Sequence, residues 1–160
     1  MKFSHQMTYD APPTEVRAML ADPAFREKVC AAMKATRHDV SVEESGSGMT
    51  VLVDQTQPAD GIPAFAKKFV GDEIQIVQRE EWRGATSSTL LVEIPGKPGA
   101  LNGSIDLAAD GAGTVESVVG DILVKIPLIG GKLEGLIGEL LASALRAEER
   151  VGRAWLAGRR

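Results

Sequence analysis

The chain has 160 residues, of which 44% are apolar and 25% are charged, so its composition is that of one globular domain and not of a disordered segment. A formal net charge of −4 argues against a protein that binds a nucleic-acid backbone, which needs a basic face. No segment approaches the roughly 20 apolar residues that span a bilayer, and residues 1–10 lack the apolar core of a signal peptide. Because the only cysteine, Cys30, has no partner for a disulfide, we expect a cytoplasmic protein that is stabilised by packing.

The N-terminal segment predicts a strand followed by two short helices. Phe3, His5, Met7 and Tyr9 alternate with polar residues over residues 2–10, which is typical of a half-buried strand. Consecutive prolines in residues 11–15 then favour a helix start. The first helix is expected to end near Asp22, and the second to cover about residues 24–35.

From residue 36 onward the period changes to that of strands. Residues 39–43 and 49–53 alternate around a Ser-Gly-Ser-Gly turn, which predicts a hairpin. A short amphipathic helix with Ile62, Phe65 and Phe69 follows, and four strands are predicted over residues 72–83, 86–94, 100–108 and 114–125. Because the last of these is apolar on both faces, we expect it to be covered on both.

The C-terminal segment predicts one long amphipathic helix. Residues 132–157 contain no proline, and apolar side chains recur every three or four residues from Leu133 to Trp155. A helix of about 25 residues, at 1.5 Å per residue, is long enough to cross a small domain. It is the only element large enough to bury the apolar face of the sheet. With an aromatic content of only 4%, we expect the packing to leave a cavity.

The order of these elements resembles the helix-grip fold of the START and Bet v 1-like superfamily (SRPBCC, polyketide cyclase-like) over about residues 2–157. The residues that carry the resemblance are Ala11 to Val16, after the first strand, and Ile126 to Glu134, before the last helix. The second run is similar to a family of bacterial proteins of the DUF2505 type.

The resemblance implies a single α+β domain over residues 1–160, in which a curved antiparallel sheet of about six or seven strands wraps around the long helix. It also implies an internal pocket for a lipid, sterol, polyketide or aromatic metabolite. Some relatives are cyclases, dehydratases or hydroxylase-associated components, so the fold does not decide whether there is catalysis.

We expect the pocket to be lined by the apolar stripe of the last helix and by inward residues of the other elements. The short helix beside Gly61 and Gly71 is predicted to be either a movable lid or a small helix packed on the sheet. The predicted ligand-binding residues are Met7, Val53, Phe65, Phe69, Trp82, Leu133, Leu136, Ile137, Leu140, Leu141 and Leu145.

Candidates for catalysis are few. With two histidines and one cysteine, a zinc site is nearly excluded, and no phosphate-binding loop or cofactor motif is present, so we expect neither metal nor cofactor. Glu80, His5 and Asp121 are the candidate acids or bases. Each has a plainer alternative: the two carboxylates can lie in water, and His5 can be structural. Cys30 is expected to be a core residue.

The favoured hypothesis is a protein that binds or transports a small hydrophobic ligand, and the alternative is a cyclase- or dehydratase-type enzyme that uses the same pocket. A third hypothesis is an adaptor with a collapsed cavity and an exposed apolar patch. Arg146, Arg150 and Arg153 allow a transient contact with a membrane surface, although Glu148 and Glu149 dilute the positive charge. The sequence leaves the ligand and the oligomeric state open.

Overall fold

The computed structural model describes all 160 residues. It contains seven strands and four helices. In chain order these are β1 (Lys2–Tyr9), α1 (Pro13–Leu20), α2 (Pro23–Ala32), β2 (Arg37–Ser45), β3 (Gly48–Pro58), α3 (Ala64–Val70), β4 (Glu73–Trp82), β5 (Ser87–Glu93), β6 (Gly99–Asp110), β7 (Gly113–Val124) and α4 (Gly130–Leu156).

The strands form one antiparallel sheet in the order β1-β7-β6-β5-β4-β3-β2, and the helices cover its concave face. The predicted helix-grip architecture is therefore confirmed. Local chemistry explains the boundaries of several elements. Pro13 and Pro23 occupy the first turns of α1 and α2, and the side chain of Asp22 caps α2 by accepting a hydrogen bond from the Ala24 amide at 2.9 Å.

Helix α4 is tied to the sheet near both of its ends. Near its start, Glu134 accepts a hydrogen bond from the backbone amide of Val124 at 2.9 Å and pairs with the N-terminal amine at 3.3 Å. Near its end, Glu149 accepts from the Thr8 amide at 2.8 Å and Arg153 donates to the Thr8 carbonyl at 3.0 Å. These contacts hold α4 against β1 and β7.

The main core lies between α4 and the inward-facing side chains of the sheet. Met7, Val51 and Leu101 belong to this core, and Phe25 packs edge-on against Trp155 with 5.7 Å between the ring centres. None of the helices combines the length and the apolar composition needed to cross a membrane.

The prediction that both faces of the last strand are covered is wrong. Val118 and Ile122 point into the core, but Val119 and Leu123 on the opposite face of β7 are 43% and 52% exposed. All four helices pack on the concave side of the sheet, so nothing covers the convex side of β7. Apolar residues on a solvent-facing strand surface account for the misleading pattern.

Two paired glycines allow β6 and β7 to approach closely. Gly103 lies opposite Gly120 in the register. A Cβ on Gly103 would lie 2.1 Å from the carbonyl oxygen of Val119, so no side chain fits there. Glycines of this kind mark sharp bends in sheets, and a bent sheet can wrap around α4.

Candidate ligand-binding site

A cavity of about 70 Å³ lies beneath the C-terminal half of α4. We call it the polar cavity, because its otherwise apolar wall contains six charged or amide side chains. The sheet, α2 and α4 all contribute to it. Its 18 lining residues are Phe3, Leu20, Arg26, Val29, Met33, Gln55, Gln78, Glu80, Leu90, Val92, Leu101, Ile105, Glu116, Val118, Leu141, Ala144, Leu145 and Glu148.

An ion pair between Arg26 and Glu80 is buried in the wall of this cavity. The two side chains are 4% and 1% exposed, and they form two parallel hydrogen bonds of 2.8 and 2.9 Å. The Nε of Arg26 also donates to the Leu20 carbonyl at 2.9 Å. Gln78 and Trp82 donate further hydrogen bonds to the carboxylate, the latter at 2.9 Å. Burial alone would raise the pKa of Glu80, but Arg26 and these donors outweigh it and hold the pKa below its usual value.

Two further carboxyl groups face the polar cavity without such partners. Glu116 on β7 is 1% exposed, and its Oε1 has no hydrogen-bond partner. Burial and the nearby charges of Glu148 and Glu80 raise the pKa of Glu116 well above its usual value. Burial raises the pKa of Glu148 on α4 to about 7, although Arg26 opposes the shift. Burial therefore favours the protonated form of Glu116, and Glu148 is close to its midpoint at neutral pH.

A second cavity of about 70 Å³, the apolar cavity, lies beneath the N-terminal half of α4. Twelve of its 15 lining residues are hydrophobic. The lining comes from α3 and α4, from the segments before these two helices, from the strand ends and from the β5–β6 connection. Its lining residues are Ile62, Ala66, Phe69, Val70, Ile74, Ile94, Lys97, Pro98, Gly99, Val124, Ile126, Leu133, Leu136, Ile137 and Leu140.

The two cavities lie end to end along α4. Leu140 lines the apolar cavity, and the next residue, Leu141, lines the polar one. On β5, Val92 lines the polar cavity, and Ile94, just after the strand, lines the apolar one. Ile137 packs against both core clusters at the boundary. An elongated ligand with one polar end would match this arrangement.

The predicted ligand-binding residues divide into three groups. Five of them line the apolar cavity, namely Phe69, Leu133, Leu136, Ile137 and Leu140. Leu141 and Leu145 line the polar cavity. The other four line neither: Met7, Val53 and Trp82 belong to the main core, and Phe65 packs on the smaller core cluster beside α3.

The predicted acids and bases are separated by the fold. Glu80 faces the polar cavity, whereas Asp121 lies on the outer face of β7 and pairs with Lys2 at 3.0 Å. His5 is half-buried on the inner side of β1 and lines neither cavity, and its Nε2 is buried without a hydrogen-bond partner. Cys30 is buried on α2, and burial raises the pKa of its thiol to about 11, which disfavours the nucleophilic thiolate.

Sequence reasoning missed Arg26, Glu116 and Glu148. Glu116 is two residues from Val118 on the inward face of β7, and Glu148 follows Leu141 and Leu145 on one stripe of α4. A charged side chain in phase with an apolar stripe is the signal that would have found both. Nothing in the sequence indicates that Arg26 meets Glu80. No group of three His, Cys, Asp or Glu side chains is arranged to hold a metal ion.

Comparison with solved structures finds the same fold in several proteins. The crystal structure of the protein TTHA0849 from Thermus thermophilus is 19% identical, with a TM-score of 0.64 over 96% of this chain and 98% of that one. A START superfamily protein from Mycobacterium smegmatis is 15% identical, with a TM-score of 0.61 over 94% and 96% of the two chains.

The di-domain ARO/CYC protein StfQ from the steffimycin biosynthetic pathway is 12% identical, with a TM-score of 0.67 over 99% of this chain and 51% of that one. No curated protein sequence matches the chain. The family model described as "Protein of unknown function (DUF2505)" matches residues 4–156. The chain therefore belongs to the DUF2505 family, and it has the helix-grip fold of the START and Bet v 1-like superfamily.

Proposed function

We propose that this protein binds a small hydrophobic or amphipathic molecule beneath α4. The observation that carries the proposal is the pair of cavities that lie end to end under this helix, one apolar and one with a few polar groups. Ligand sites in proteins are concave and mostly apolar, with a small number of polar groups that orient the ligand. The fold supports this reading, since START-like proteins are among the structural neighbours.

Binding would require the two cavities to widen. Each has room for several water molecules, which is less than the volume of a typical ligand pocket. Helix α3 is the element best suited to move, because Gly61 and Gly71 flank it with φ angles of 82° and 77° that glycine adopts without strain. Displacement of Phe69 and Ile62 would then open the apolar cavity to solvent.

A fluorescence titration with the neutral apolar probe N-phenyl-1-naphthylamine tests this proposal. We expect the wild-type protein to enhance the probe's fluorescence, and octan-1-ol to displace the probe. Ala144→Phe places a ring in the polar cavity, so it should weaken octan-1-ol binding, whereas Ser143→Phe, on the exposed side of the same helix turn, should not. Absence of uptake by the wild-type protein would contradict the proposal and favour an adaptor function.

The second candidate function is a cyclase- or dehydratase-type enzyme. The observation that favours it is Glu148, whose pKa of about 7 suits a general acid or base at neutral pH. The ARO/CYC protein StfQ, which shares the fold, gives the reaction class to test.

Native mass spectrometry of protein purified from its own host would separate the two functions, provided that any bound molecule is identified. A carrier should retain an unmodified hydrophobe in both the wild-type protein and Glu148→Gln. An enzyme should convert a poly-β-ketone substrate, and Glu148→Gln should abolish the conversion while leaving the substrate bound.

A further inference from the structure

The carboxyl groups of the polar cavity outnumber its cations. Arg26 is the only basic side chain among the lining residues, and both of its terminal nitrogens already bind Glu80. Glu116 and Glu148 remain without a counter-ion. We propose that the polar cavity binds the protonated amino group of an amphipathic amine, with the alkyl or aryl part directed toward the apolar cavity. This inference rests on the proposed function and specifies its ligand class.

Hydrogen bonding at Glu116 favours a ligand that carries N–H donors. Buried polar atoms in folded proteins almost always have partners, and a lone acceptor costs free energy. Oε1 of Glu116 is buried and has none, although Glu116 lies in the cavity wall. A ligand that donates N–H groups at this position would satisfy it. Glu148 lines the same cavity from α4, and an ammonium group has three donors to share between the two carboxyl groups.

The balance of charge in the polar cavity favours a cationic ligand over an anionic or a neutral one. The Arg26–Glu80 pair is neutral as a unit, and burial beside Glu148 and Glu80 raises the pKa of Glu116, which favours its protonated form. When an ammonium ion enters, ionisation of Glu116 or Glu148 restores neutrality, so no unpaired charge stays buried. A ligand carboxylate would instead add a negative charge beside Glu80 and Glu148. An alcohol would form hydrogen bonds without this ionic contribution.

Binding should therefore release a proton from the protein. The titratable and charged groups near Glu148 are Arg26 on α2, Glu80 on β4, Glu116 on β7 and Tyr9 on β1, and the charge of Glu149 also acts on Tyr9. Release of one proton makes the affinity for the amine rise with pH, by up to about tenfold per pH unit below the pKa of the ionising group. The affinity for an alcohol should not change.

The test compares octylamine, octan-1-ol and octanoate, which share one chain length, as competitors of N-phenyl-1-naphthylamine. At pH 7.5 we expect octylamine to bind the wild-type protein about tenfold or more tightly than octan-1-ol, and octanoate to bind least tightly. Calorimetry in phosphate and in MOPS buffer should show proton release on octylamine binding that is larger at pH 6.5 than at pH 7.5, where Glu148 is already largely ionised. Glu116→Gln and Glu148→Gln should reduce the preference for octylamine, while Glu139→Gln, on the exposed face of α4, should retain it.

The outcomes separate this inference from the proposed function. If octan-1-ol or octanoate binds the wild-type protein as tightly as octylamine, the amine site is wrong but the hydrophobic site stands. The same holds if octylamine is preferred equally by the wild-type protein, Glu116→Gln and Glu148→Gln. If neither the naphthylamine probe nor any of the three competitors binds, both proposals fail. The comparison of three ligands on the wild-type protein does not depend on how well the variants fold.

Discussion

Replacing Arg26 with methionine is the perturbation that tests the buried ion pair most severely. The substitution removes two hydrogen bonds to Glu80 and one to the Leu20 carbonyl. It leaves Glu80 in the interior with only Gln78 and Trp82 as donors. Removing one partner of a buried pair typically costs about 3–5 kcal/mol, because the remaining charge is left uncompensated. For a domain of this size, that corresponds to a decrease in Tm of roughly 6–20 °C.

The assay is urea unfolding monitored by far-UV circular dichroism, with the free energy of unfolding extrapolated to water. Arg79→Met, on the exposed side of β4, is the matched control and should change stability by less than about 0.5 kcal/mol. The pKa of Glu80 is depressed in the folded protein, so its stabilisation is present above the ordinary glutamate pKa and is lost as pH falls through the folded value.

In Arg26→Met the unpaired carboxyl group of Glu80 should have a raised pKa. Its protonation at acid pH should therefore remove the buried charge and reduce the destabilisation of the variant. The difference in stability between the wild-type protein and Arg26→Met should therefore be larger at pH 8 than at pH 4. A loss below about 1 kcal/mol at pH 7, or one that does not change with pH, would refute the reasoning, since the expected cost of a buried unpaired charge is several-fold larger.

Three further predictions concern stability and use the same unfolding assay. The folded pKa of Glu148 is raised to about 7, so its contribution to stability is complete below the unfolded pKa and is lost as pH rises through 7. Glu148→Gln should remove roughly 1–3 kcal/mol of this pH dependence. An unchanged dependence of the free energy of unfolding on pH would contradict the raised pKa. Gly152→Ala should destabilise the protein by about 1–3 kcal/mol, because the new Cβ would lie 2.7 Å from Cε1 of Tyr9. At Gly135 a new Cβ would have no atom within 4 Å, so Gly135→Ala should stabilise the helix by about 1 kcal/mol. Equal effects of the two substitutions would show that crowding is not the cause. Val119→Lys should change stability by less than about 0.5 kcal/mol because the side chain is exposed, and a loss above about 2 kcal/mol would mean that the outer face of β7 is covered.

The architecture could be predicted from the sequence because it follows from local periodicity. The change from a period of two to a helical period separates the strands from α4, and Pro13 and Pro23 mark helix starts. It was harder to predict from the sequence that only one face of β7 is buried. Val119 and Leu123 resemble core residues in the sequence, and only the position of all four helices on one side leaves them exposed.

The candidate site was only partly predictable, because its chemistry depends on contacts distant in sequence. Glu80 could be singled out as a carboxylate on an apolar strand face. Its partner, Arg26, is 54 positions away, and no local pattern links the two. Glu116 and Glu148 come from different elements, and their raised pKa values arise only when both are buried near Glu80. Such long-range effects can be evaluated only on a folded structure.

Photo-crosslinking tests the claim that a ligand lies beneath α4 most directly. The wild-type protein would be irradiated with a diazirine-bearing analogue of octan-1-ol, and the labelled peptides would be mapped by mass spectrometry. We predict labels on the inward residues of α4, such as Leu141 and Leu145, and on the sheet strands that face them, with labelling suppressed by excess octan-1-ol. Labels confined to exposed residues such as Leu128, and unaffected by the competitor, would contradict the account.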